Sequence, residues 1–240
     1  MTARVYVTSL STPSRAVLGM AAHKRLPHRV VTLPSGFHPL LVRAAGFPGR
    51  TVPALDLGGG RRIQGSMAIS RELDALVPER PLFPRGQPAR RAVEEAERWG
   101  HDVLQDVPRR IFRWAAARDP ALRMWVAADV AEVPAPRLTS RMVKPFVVRL
   151  SNESGGSEAA VREDVRRLPE LLDHADRLVS EGTIGGPAPN AADFQILTSV
   201  RVMLDFKALP PFEHRACARH ARLLFPEWEG EMPRFEIPGA

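Results

Sequence analysis

The first third of the chain alternates short apolar runs with polar turns, and the rest repeats apolar positions three or four residues apart. In the first part, Arg4 to Ser9 reads as a strand, Pro13 to about Arg25 as a helix opened by proline, and His28 to Leu33 as a second strand. After a Pro/Gly-rich stretch, "TVPALDL" and "RIQ" flank "GGGRR", the pattern of two strands joined by a tight glycine turn. "GSMAISRELDALV" then places Met67, Ile69, Leu73 and Leu76 at helical spacing. The order βαβ followed by ββα predicts a small mixed sheet with one parallel and one antiparallel pairing.

"VPERPLFPRGQP" holds four prolines in a dozen residues, which excludes regular structure and marks a linker. Beyond it the strand signal disappears. Val93, Ala96, Trp99, Val103, Val107, Ile111 and Trp114 define one long amphipathic helix, with a kink expected at Pro108. "SEAAVREDVRRLPELLDHADRLVSEG" is a second helix, interrupted at Pro169 and ended by Gly182. "PNAADFQILTSVRVMLDF" and "PFEHRACARHARLLF" are a third and a fourth. The expected organisation is a mixed α+β domain over 1–77, a linker over 78–88 and an all-helical domain over 89–240.

Composition changes this picture little. The 44% hydrophobic and 25% charged fractions are ordinary for a globular chain, and no apolar run has the length of a membrane span. The single cysteine, Cys217, excludes an internal disulfide, and the expected location is the cytoplasm. The net charge of +7 comes almost wholly from arginines interspersed with acids, as in "RRAVEEAER". With no basic tail or stacking motif, this reads as a solvated surface that favours small anionic substrates rather than nucleic acid. His214, Cys217 and His220 recur three apart, but no second ligand cluster accompanies them, so no metal is expected.

Four short motifs carry candidate chemistry. In "SLSTPSR", Ser11 with Pro13 reads as a helix start. Its hydroxyl either caps the helix or donates a hydrogen bond to a bound thiolate. In "RTVPAL", Pro53 opens a strand. X-Pro bonds are mostly trans, yet a proline just ahead of the hairpin in a unit of thioredoxin-like order is a candidate for a cis peptide at Val52–Pro53. In "QGSMAIS", Ser66 begins a helix, where it either caps that helix or helps backbone N–H groups bind a carboxylate. In "NAADFQI", Asn190 and Asp193 have capping-box spacing, a structural role.

Taken in order along the chain, these motifs resemble a cytosolic glutathione S-transferase of the serine type with a delta-like active-site loop. Ser11-Thr12-Pro13-Ser14-Arg15 is similar to that family's Ser-x-Pro-x-Arg, "RTVPAL" to its cis-proline segment, "GSMAI" to its "ESxAI", "PLFP" to its linker and "NAAD" to its capping box. The resemblance implies a thioredoxin-like N-terminal domain followed by a helical bundle, usually in a homodimer. It implies a glutathione-type thiol as cosubstrate, lying across Pro53, with Ser11 activating the sulfur, although Ser9, Thr12 and Ser14 lie in the same loop and offer the same hydroxyl. Val52 would bond the thiol's cysteinyl backbone and Ser66 its γ-glutamyl carboxylate. Gly65 stands where the family has an acidic residue or glutamine, with Gln64 one step earlier, and Arg50 stands where delta-like members often have histidine. Gln64 and Arg50 are therefore further candidates for the thiol site, and Arg50 could grip a carboxylate. The electrophile would be attacked in a cleft between the domains, with Arg109, Arg110 and Trp114 as its candidate lining. A zeta-type, thiol-dependent isomerase and a non-catalytic binding protein of the same fold are the competing readings.

Overall fold

The computed structural model describes residues 2–130, 135–226 and 232–239, apart from the side chain of Asp129. Its N-terminal part contains β1 (Ala3–Val7), α1 (Thr12–His23), β2 (His28–Thr32), α2 (His38–Ala44), β3 (Ala54–Asp56), β4 (Arg62–Gln64) and α3 (Ser66–Leu76). The strands form one sheet in the order β2-β1-β3-β4, with β1 parallel to β2 and antiparallel to β3, and β3 antiparallel to β4. This is the α+β, thioredoxin-like order expected from the pattern of apolar runs.

Helix α2 has no counterpart in the sequence reading. Phe37, Leu40 and Leu41 are exposed and only Val42 of this helix is buried, so its apolar residues do not trace an inward stripe. Val42 joins Tyr6, Leu33, Phe47 and Ala54 in a small core on one side of the sheet. Val17, Met20, Ile69 and Leu73 are also buried, from helices α1 and α3, which pack on each other.

After the linker come α4 (Gln87–Trp99), α5 (Asp106–Arg118), α6 (Pro120–Trp125), α7 (Pro136–Met142), α8 (Lys144–Glu153), α9 (Glu158–Ser180), α10 (Ala191–Met203) and α11 (Ala216–Leu224). Two details depart from the pattern reading. The expected long helix is divided by a π-helical turn, Gly100–Leu104, and not at Pro108. Pro108 lies in the first turn of α5, where a backbone N–H has no intrahelical partner to lose. Helix α9 continues through Pro169 and ends shortly before Gly182, whose φ of +71° supplies the left-handed turn. The short helices α6, α7 and α8 fill a stretch the sequence reading left unassigned.

The chain divides into two compact units, Met1–Arg98 with Gly182–Thr198, and Trp99–Glu181 with Ser199–Ala240. The first unit thus extends beyond the expected boundary at residue 77, and specific contacts account for it. Glu97 of α4, fully buried, accepts from Ser70 Oγ at 2.7 Å and pairs with Arg71. The linker is anchored as well: Leu82 N–H donates to Asp74 at 2.6 Å, Leu82 C=O accepts from Ala191 N–H at 3.0 Å, and the Arg71 and Arg90 guanidinia lie over the Phe83 ring. Asn190 and Asp193 form the expected reciprocal capping box, with Asp193 also accepting from Gly185 N–H at 2.6 Å. In the second unit, α5 packs on α8 and α9, burying Val107, Ile111 and Trp114. No helix among the described residues is long and apolar enough to cross a membrane.

Candidate functional site

Three of the singled-out segments meet at one end of the sheet. Strand β1 ends at Val7, and the chain turns through Leu10, at a φ of +54°, into α1. Ser11 is the N-cap: its Oγ accepts from Ser14 N–H at 3.3 Å, and its C=O accepts from Arg15 N–H at 3.0 Å. Because β3 runs antiparallel to β1 with Ala54 opposite Tyr6, the residue before Ala54 lies at the end of β1 from which the Ser11 loop departs. That residue is Pro53, and the Val52–Pro53 peptide is cis. The next strand brings in the third segment. Gln64 pairs with Ala54, and Gly65 N–H donates to Pro53 C=O at 2.9 Å, which seats the start of α3 beside the proline.

The two serines at these helix starts differ. Ser66 is the first residue of α3 and does not cap it. The N-cap is Gly65, with φ +90° and ψ 140°, and it makes no side-chain capping bond. The Ser66 hydroxyl is 1% exposed and has no hydrogen-bond partner among the described residues. Neither α1 nor α3 carries an acidic residue in its first turn, so the positive end of each helix dipole is not neutralised locally. In the first turn of α1 the Ser14 hydroxyl is likewise buried and without a partner among the described residues. Its position in α1 was not separable from Ser9, Ser11 and Thr12 in the sequence.

Gln64 is spent on the backbone. Its side-chain carbonyl accepts from Gly49 N–H at 2.8 Å and its amide nitrogen donates to Thr51 C=O at 2.7 Å. It therefore clamps the loop that leads into Val52, a role its place in the sequence did not reveal. A Cβ on Gly49 would stand 2.5 Å from Gln64 Oε1, so any other residue there would push the Gln64 amide out of this position. Arg50, exposed, lies between the two residues that Gln64 holds. No backbone hydrogen bond among the described residues engages Val52.

The three electrophile candidates lie on α5 in the second unit, and each has a local partner. Arg110 makes a two-pronged pair with Asp164, at 2.5 and 2.7 Å, and donates to Ser154 C=O. Burial pushes the Asp164 carboxyl above its ordinary value, against the opposing pull of Arg110. Trp114 is 8% exposed, with the Arg118 guanidinium over its ring, which makes it a packing residue of this unit. Arg109 pairs with Asp106 at 2.7 Å, and burial holds its guanidinium below the usual arginine range despite that neighbour. Arg110 also borders a polar cavity of about 280 Å³ together with Asp102, Asp106, Asp164 and Arg167.

A unit in which a cis-proline sits between a serine-capped helix and a helix-start serine, on a sheet of this strand order, is of the thioredoxin-like class. The comparisons with known proteins narrow it. Residues 10–76 match the family described as glutathione S-transferase, N-terminal domain. The whole chain superposes on a glutathione S-transferase from Rhodospirillum rubrum with a TM-score of 0.62 at 19% identity, covering 94% of this chain and 89% of that one. A theta-class glutathione S-transferase from Xanthomonas axonopodis, solved with glutathione bound, gives 0.58 at 16%, covering 94% and 92%. A beta-etherase from Sphingobium sp. gives 0.59 at 21%, covering 93% and 95%. No curated protein sequence matches the chain. Residues 10–76 thus match the glutathione S-transferase N-terminal domain, and the chain as a whole has the glutathione S-transferase fold.

Proposed function

We propose that this protein is a glutathione S-transferase-like enzyme that activates a low-molecular-weight thiol for attack on a small electrophile. The observation that carries the reading is the hydrogen bonding of Ser11. Its oxygen accepts from Ser14 N–H, so its own proton is free to be donated to a thiolate at the start of α1. A thiolate there also lies at the positive end of the helix dipole, and both interactions lower the thiol's pKa. The unengaged Val52 backbone and the buried Ser66 hydroxyl suit the two ends of an extended thiol peptide lying across Pro53. Neighbours solved with glutathione or with glutathione sulfonate support a ligand of this kind.

The reaction needs no covalent enzyme intermediate. The bound thiolate attacks an electrophilic carbon, a sulfur–carbon bond forms, and the leaving group departs with the bonding electrons. The protein contributes thiolate stabilisation and proximity. The reading includes a cytoplasmic location and a homodimer, the latter tested by sedimentation of the purified chain. Arg109 remains the electrophile-side candidate with the least specialised local role.

The direct test is Ser11→Ala assayed with glutathione and an aryl halide. One unit of thiol pKa corresponds to a tenfold change in thiolate fraction, so the rate near neutral pH falls about tenfold or more. The ultraviolet thiolate band of the bound thiol then titrates at higher pH. An unchanged rate removes Ser11 from the mechanism. Failure of the wild-type chain to bind any thiol favours the non-catalytic reading.

A further inference from the structure

The charge around this thiol site is strongly one-sided. Residues 1–71 include every residue placed at the thiol end of the sheet, and they contain ten arginines and lysines but one acidic residue, Asp56. Asp56 is itself committed: it is 4% exposed, pairs with Arg4 at 2.9 Å and accepts from Gly58 N–H at 2.8 Å. The next acids along the chain are also engaged. Glu72 pairs with Arg61, and Asp74 accepts from Lys24 at 3.1 Å and from Leu82 N–H. Farther on, Glu97 is enclosed by Ser70 and Arg71.

Glutathione presents an α-carboxylate and an α-ammonium on adjacent atoms of its γ-glutamyl end. The carboxylate finds complementary groups here. These are the Ser66 hydroxyl, nearly fully buried and without a partner among the described residues, and the first N–H groups of the eleven-residue α3, with the exposed Arg50 in the loop that Gln64 holds at Gly49 and Thr51. The ammonium finds none. At Gly65, beside Ser66, a Cβ would meet nothing within 4 Å, so the space next to the carboxylate site is open and no side chain carries a negative charge into it. An ammonium there meets a segment, residues 1–71, in which arginine and lysine outnumber acids ten to one, and like charges repel.

We infer that this site selects an anionic thiol that presents a carboxylate without a neighbouring ammonium, in preference to glutathione itself. The inference rests on the thiol-binding reading above and adds the substrate class to it. An N-acylated or des-amino thiol fulfils the requirement, and the open space at Gly65 leaves room for an acyl group on the nitrogen.

Calorimetric titration of the full chain compares glutathione with glutaryl-cysteinylglycine, which differs from it only in lacking the α-ammonium. The analogue is expected to bind about tenfold more tightly or better, a ratio that corresponds to ~1.4 kcal/mol. Arg50→Ala should narrow that ratio, because it relieves the repulsion of the ammonium, while any loss of grip on the shared carboxylate falls on both ligands alike. Glutathione binding as tightly as the analogue, or more tightly, overturns the inference and leaves the thiol-binding reading standing. If neither ligand binds while the chain is folded by circular dichroism, the thiol-binding reading falls and the inference falls with it.

Discussion

Helices α1 and α3 both begin with a serine at the same end of the sheet, yet the two hydroxyls are used in opposite ways. Ser11 precedes its helix and closes it by accepting from Ser14 N–H. Ser66 lies one residue inside its helix, behind a glycine with φ +90°, and its buried oxygen contributes nothing to capping. One serine combines structure with an outward proton, and the other is held in place by its surroundings for a different partner. The lesson is that a serine at a helix start cannot be assigned from the residue type, because a shift of one position decides whether the helix consumes its lone pair.

The sharpest way to break this contrast is to loosen what holds α3. Arg71→Ala removes the Arg71 cation from the fully buried Glu97, and chemical denaturation should show a loss of about 3 kcal/mol or more. An Arg71→Ala/Glu97→Gln double variant should recover part of that loss, since no buried charge remains. Next in size is Gly65→Ala. Its backbone lies in a region that favours glycine, and a cost of roughly 1–3 kcal/mol is expected despite the open space around it. If thermal melting shows no change, the positive φ at Gly65 places no constraint on the residue there.

The serine substitutions test the contrast itself. Ser11→Ala removes a cap and should cost about 1 kcal/mol, whereas Ser66→Ala removes no protein hydrogen bond and should be close to neutral in stability. On ligand binding the order reverses: Ser66→Ala weakens the thiol's affinity, while Ser11→Ala acts mainly on the rate. Equal stability losses in urea titrations of the two variants contradict the assignment. The smallest effect lies at the far end of α1, where burial, then Arg80 and Lys24, hold His23 below its ordinary pKa. Its unfolded form therefore binds a proton more readily. The stability His23 contributes is present above about pH 6.5 and is lost as the pH falls through its lowered value. His23→Gln should flatten that part of the stability profile.

Much of the architecture was legible along the chain because it rests on local repetition. Alternating runs around "GGGRR" mark the hairpin, and the three-to-four spacing from Val93 onward marks helix. The capping box at Asn190 and Asp193 was legible for the same reason, since its two residues meet within one turn. Helix α2 was not legible, because Phe37, Leu40 and Leu41 face outward and leave no inward stripe. The break after Trp99 was assigned to Pro108, but a proline in a first turn is harmless and the backbone instead yields at Gly100–Leu104. For the candidate site, Ser11, Pro53 and Ser66 were all visible as types in order. The duties of Gln64 and Glu97 were not, since each acts on residues distant in sequence.

By itself, then, the sequence determined the order of elements, the helix-starting serines and the proline ahead of the hairpin, because short-range sterics, caps and periodicity are written in neighbouring residues. It also determined the excess of positive charge over the first 71 residues. Only the tertiary structure decided which serine caps and which is left unpaired. It alone committed Asp56, Asp74 and Glu97 to partners within the fold, and it bent Gln64 back onto the loop at Gly49 and Thr51. Those outcomes depend on strand register and on which groups lose contact with water, and neither is fixed until the sheet and helices pack.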